Sequence, residues 1–111
     1  MGWDRDGLIT IASGQTKSSA YALTDRNAMG PVALLIIAPE TLPETVTVCC
    51  PRIGGTTEAK IQDGGTDLVI AADEAIQIIE ITARSIILVA GGAVAADRVF
   101  EVHANNIGMR P

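Results

Sequence analysis

The stretch Ala75-Ile-Gln-Ile-Ile-Glu-Ile81, followed closely by Arg84-Ser-Ile-Ile-Leu-Val-Ala90, decides the fold class. It has two readings. Asp73 stands where a helix cap would, and Ile76, Ile79, Ala83 and Ile86 fall at helical spacing. Against this, four isoleucines lie within six residues. Two branches on Cβ stiffen χ1 and suit a pleated surface better than a helix. We read two strands, Ala75 to Ile81 and Arg84 to Ala90, with a helix over the first as the alternative.

Outward from that point the chain reads as short strands cut by turn residues. Toward the C-terminus, Gly91-Gly92 turns the chain and Arg98 to Ala104 is a last strand. Toward the N-terminus, Ala59 to Gln62 and Thr66 to Ala71 flank Asp63-Gly64-Gly65, a hairpin signal because Gly and Asp tolerate positive φ. Thr45 to Cys50 alternates, with Val46, Val48 and Cys50 on one face, and Pro51 stops it before a Gly54-Gly55 turn. Val32 to Ala38 is closed by Pro39, and Pro43 stiffens the loop from Glu40 to Glu44. Earlier still come Ser18 to Leu23 and Leu8 to Ala12, the latter with Ile9 and Ile11 on one face and a Ser13-Gly14 turn behind it. Asp25-Arg26-Asn27 and Met29-Gly30-Pro31 punctuate the interval before Val32. Such spacing predicts one all-β domain, a jelly-roll-like β-sandwich of about eight or nine short strands. It would occupy residues 8–104, between an N-terminal arm (1–7) and a C-terminal tail (105–111).

Composition narrows the possible functions. A chain of 111 residues is one domain and can bury a core without disulfides or metal. Its only aromatics are Trp3, Tyr21 and Phe100, so Ile, Val, Leu and Ala must fill that core. The net charge of −5 has the wrong sign for a nucleic-acid binder, and no Lys/Arg run is present. The longest apolar run, Val32 to Ala38, falls far short of the ~18 residues of a membrane span. Met1 to Asp6 has no apolar stretch behind a basic start, which argues against a signal peptide. Asp6 occupies the position where a myristoylation motif wants Ser or Thr.

Residues that carry chemistry are scattered. Cys49 and Cys50 are adjacent, and neighbours in a strand point to opposite faces, so two reduced thiols are expected, in keeping with synthesis in a reducing cytoplasm. His103 is the only histidine and has no metal-ligand or nucleophile spacing around it. Gly54-Gly55 and Gly64-Gly65 lack the Gly-Lys-Ser/Thr of a phosphate loop. Asp63 and Asp67 offer too few oxygens for a calcium loop, and Asp73-Glu74 reads as a solvated loop. No catalytic, cofactor or metal site is expected, and three dispersed aromatics make no platform for sugars.

One pattern points outside the chain. A two-layer sandwich strand should alternate apolar and polar residues. Val32 to Ala38 and Ile86 to Ala90 are apolar on both faces, so each has a face needing cover, from the chain's own loops or from a partner. In the first run, Val32, Leu34, Ile36 and Ala38 share one face, and Ala33, Leu35 and Ile37 the other. Periodicity does not say which is the core. Leu34, Leu35, Ile36 and Ile37 are therefore candidate partner contacts, together with Trp3 in the expected arm.

Three segments also carry a resemblance. Leu8-Ile-Thr-Ile-Ala-Ser-Gly-Gln-Thr-Lys-Ser-Ser-Ala-Tyr-Ala-Leu23 resembles the opening of small structural proteins of tailed bacteriophages, a strand and Ser-Gly turn followed by a Ser-rich strand. Ala38-Pro-Glu-Thr-Leu-Pro-Glu-Thr-Val-Thr-Val48 is similar to their middle stretch, and Ala90-Gly-Gly-Ala-Val-Ala-Ala-Asp-Arg-Val-Phe-Glu-Val102 to their closing hairpin. The resemblance implies a virion protein rather than an enzyme. Foremost is a capsid decoration or cement protein, made in the host bacterial cytoplasm and placed on the capsid surface. Its expected partners are the major capsid protein and further copies of itself, as a homo-oligomer or bound to the lattice, with no nucleic acid or membrane. A tail, head–tail adaptor or fibre-base component is the alternative within that class. A carbohydrate-binding adhesion module is the alternative from another.

Overall fold

The structure is a computed structural model that describes residues 4–23, 32–52, 57–63, 65–81 and 83–106, and among these every regular element is a β-strand. In chain order they are β1 (Asp4–Ile11), β2 (Tyr21–Ala22), β3 (Val32–Ile37), β4 (Val46–Cys50), β5 (Ala59–Lys60) and β6 (Gln62–Asp63). There follow β7 (Thr66–Asp67), β8 (Val69–Ile70), β9 (Ala75–Ile81), β10 (Ser85–Ala90) and β11 (Arg98–Asn106). The isoleucine-rich stretch is thus extended. Ile78 is buried and Ile76 half-buried while Gln77 between them is exposed, a period of two that no helix produces.

β5 and β8 behave as one interrupted strand. Both pair antiparallel with β4, through Cys50↔Ala59 and Cys49↔Lys60 at one end and Thr47↔Val69 and Val46↔Ile70 at the other. In the middle, Val48 N–H donates to Leu68 O and Ile61 N–H donates to Val48 O, each at 3.0 Å. The residues between Ile61 and Leu68 are extruded as a small hairpin, β6 against β7, with Gly65 supplying φ of +88° at its tip.

With β5 to β8 counted as one strand, the antiparallel pairs β1–β11, β2–β10, β3–β9 and β4–β5/β8 are successive rungs of one long ribbon. The ribbon is rolled so that β11 also meets β3 and β10 also meets β4. Two sheets result, ordered β1-β11-β3-β9 and β2-β10-β4-β5, which is the arrangement of a jelly-roll sandwich. The expected all-β sandwich is the fold found.

The inner faces meet in one aliphatic core. Ile9, Ile11, Leu34, Ile36, Ile78, Phe100 and Val102 from the first sheet pack with Val46, Val48, Ile70, Ile86 and Leu88 from the second. Leu23, Leu42 and Val94 close the ends from connecting segments. One polar pair enters this layer. Arg98 faces inward opposite Ile11, only 9% exposed, and donates from Nε and Nη2 to both Glu44 carboxylate oxygens at 3.0 and 3.3 Å. A forked, charge-assisted contact of this kind ties the β3–β4 connection across the end of the sandwich.

Three expected boundaries move. The arm expected at 1–7 is strand from Asp4 onward, because Asp4 and Arg5 pair with Ala104 and His103; β1 is an edge strand, where charged residues are well tolerated. The last strand continues to Asn106, paired with Val32, so 105 and 106 belong to it and not to a tail; residues 107–111 lie outside the described ones. The expected strand Ser18 to Leu23 contracts to Tyr21–Ala22. Ser18 explains part of this, since its Oγ accepts from Leu88 N–H at 3.1 Å and donates to Ser19 O, substituting side-chain bonds for a regular ladder. The turns expected at 25–31 and at Gly54-Gly55 lie largely or wholly outside the described residues.

Candidate functional site

The outer face of the β1-β11-β3-β9 sheet is one of the two that the sequence leaves in need of cover. Antiparallel register sets its composition. One row across the sheet reads Leu8, Glu101, Ile37, Ala75, and the next contains His103, Leu35 and Gln77. Thr10 and Val99 form a further pair at one end. Leu8 is 46% and Val99 41% exposed, and they sit diagonally across the β1–β11 ladder; Leu35 and Ile37 are half-buried. In the middle, His103 Nε2 lies 3.3 Å from Glu101 Oε1. The surface is mixed: Leu8, Val99, Leu35 and Ile37 share it with Thr10, Gln77 and the His103–Glu101 contact.

The five candidate contacts divide. Leu34 and Ile36 are fully buried in the core, so the expectation that they meet a partner is corrected: alternation sends them inward into the layer between the two sheets. Leu35 and Ile37 take the outer face. Trp3 lies outside the described residues. Leu8 and Val99 were missed, although the signal was available: Ile9 and Ile11 share the core face, so Leu8 must point away, as must Val99 beside Phe100.

The second run apolar on both faces, in β10, is covered differently. Its outward Ile87 is paired with Cys49, and both are buried. Lys17 bridges to Val89 on this side, and its Nζ lies 2.8 Å from Glu58 Oε2, next to β5 on the far side of β4. An ion pair thus spans the sheet's outer face, and the Lys17 hydrogen bond holds the Glu58 carboxyl below its usual range. Here the chain supplies its own cover.

The expected chemical groups are apart from one another. Both cysteines are free; burial, reinforced by the Glu58 charge, pushes the Cys49 thiol up, and Cys50 is half-buried. Asp67 accepts from Gln62 Nε2 at 2.6 Å and pairs with Lys60 at 3.3 Å, contacts that lower its pKa and brace the small hairpin. Among the described residues, no three His, Cys, Asp or Glu side chains gather as a metal would require. Phe100 is in the core and Tyr21 is packed beside it, so neither offers a free ring. The arrangement can bury apolar area against a flat partner. No family model, curated protein or solved structure matches the chain.

Proposed function

We propose that this chain is a structural protein of a tailed-phage virion, a capsid decoration or cement protein that docks through the outer face of its β1-β11-β3-β9 sheet. The observation that carries the reading is the placement of Leu35 and Ile37, with Leu8 and Val99, on one open face of a self-contained jelly roll. The three resembling segments support the class. The fold is compatible, since jelly rolls recur in viral capsid proteins, though also in lectins, and fold alone does not assign function. The mechanism is passive: the face covers a junction of capsid subunits, and many weak contacts on a lattice add up to firm attachment. The major capsid protein is the main partner and neighbouring copies the secondary one.

Mass spectrometry of purified virions tests this, with copy number measured against the major capsid protein. A number on the scale of the shell supports decoration. A handful of copies would move the protein to the tail or head–tail connector, and its absence from virions would refute the reading.

A further inference from the structure

A second feature lies where β4 ends and β10 begins. Cys50, Pro51 and Arg52 on one side, and Ala83, Arg84 and Ser85 on the other, line a cleft of about 380 Å³. The two segments are neighbours because β10 pairs antiparallel with β4, Ile87 opposite Cys49. The ladder ends there, and the segments that run on from it, 50–52 and 83–85, line the same cleft and bring Arg52 and Arg84 to its walls.

The charge pattern singles the cleft out. The protein carries a net charge of −5, and three of its cations are matched to carboxylates: Lys17 with Glu58, Lys60 with Asp67 and Arg98 with Glu44. Among the described residues, the guanidinium groups of Arg52 and Arg84 meet no carboxylate. Two unmatched cations lining one cleft repel each other, which opposes folding rather than aiding it. An oxyanion between them reverses the sign of that interaction, because each guanidinium presents a planar fork of donors that fits phosphate or carboxylate oxygens.

We propose that this cleft binds an oxyanion, a phosphate or carboxylate group, held between Arg52 and Arg84. The site is distinct from the docking face, since it belongs to the other sheet. Two charge-assisted contacts in an open cleft give a roughly millimolar dissociation constant, weakened by salt.

The test is titration of the full chain with inorganic phosphate, and separately with acetate, while the backbone amide signals of residues 50, 52, 84 and 85 are followed by NMR. Sodium chloride at matched ionic strength is the control. Saturable shifts at these positions are expected, stronger with phosphate if a tetrahedral group is the better fit and stronger with acetate if a planar one is. The double variant Arg52→Gln/Arg84→Gln changes only exposed side chains, and it should weaken binding about tenfold or more. Alkylation of the Cys50 thiol, slowed by the bound anion, gives a second readout. Shifts that do not saturate, that chloride reproduces, or that survive in the double variant would overturn the proposal.

Discussion

Charging one face of β3 and then the other separates a docking surface from a core. The outer variant is Leu35→Asp/Ile37→Lys, which sets the new carboxylate beside His103 and the new ammonium opposite Glu101. The inner variant, Leu34→Asp/Ile36→Lys, makes the same changes at two fully buried positions. On the outer face each wild-type side chain is half-buried, so its loss costs about 1 kcal/mol, roughly half the value of full burial. Poorer strand propensity adds up to about 1 kcal/mol, and the new cross-strand pairs return a few tenths. The outer variant should therefore lose about 2 kcal/mol of a total near 5–15, and fold. The inner variant places two charges in an aliphatic core at several kcal/mol each, which exceeds or exhausts that total. Far-UV circular dichroism through a urea titration reads both stabilities, and sedimentation with capsids lacking the protein reads docking. The expected pattern is a folded outer variant that no longer sediments with capsids, and an unfolded inner one. A folded outer variant that decorates capsids as well as wild type would remove the β3 face from the interface. An inner variant that folds would refute the assignment of the core.

Three further outcomes follow from particular residues. Glu44, Glu58 and Asp67 are held below the ordinary carboxylate range, foremost by hydrogen bonds from Arg98, Lys17 and Gln62 respectively. A lowered folded-state pKa stabilises above the unfolded value and is lost as pH falls through the folded one, so the urea midpoint should hold near neutral pH and drop below about pH 4, with a shallower drop in Glu44→Gln. Asp73 holds φ of +57° in the turn closed by Glu74 N–H on Ala71 O; Asp73→Val should lower stability by about 1–2 kcal/mol in thermal melts while Asp73→Gly does not. In the native protein a small alkylating reagent should modify Cys50 well before Cys49, which is buried and whose thiol is harder to ionise; equal rates in peptide-mapped mass spectra would contradict the covering of Cys49 on the sheet's outer face.

The fold was largely legible because each sheet's inner face is written at a period of two in residues that can go nowhere else: Ile9 and Ile11, Val46 and Val48, Ile86 and Leu88. What escaped had physical reasons. Asp4 and Arg5 look like a solvated arm, yet an edge strand needs apolar residues on one face at most. Thr66 to Ala71 reads as one strand, but Thr66 and Asp67 pair with Gln62 and Asp63 in the small hairpin, and it is Leu68 to Ile70 that reach β4. The face of β3 was undecidable locally, since Leu34 and Leu35 are identical residues whose fates depend on which side of their sheet the second sheet packs. The Arg52–Arg84 cleft was invisible for a related reason: the two residues come to one cleft only because β4 pairs with β10.

The rolled ribbon also fixes the order in which the protein can be built. β11 is an interior strand of one sheet and β10 of the other, and both come late in the chain. Until they leave the ribosome, β1 has no ladder to join and neither half of the sandwich can close over its isoleucines. Folding then waits on the most distant pairings, such as Asp4 with Ala104, and contacts of such long range form slowly. A nascent chain stalled before β10 can pair β3 with β9 but lacks β11 along the other edge of β3, and that open apolar edge makes it vulnerable to aggregation at that moment.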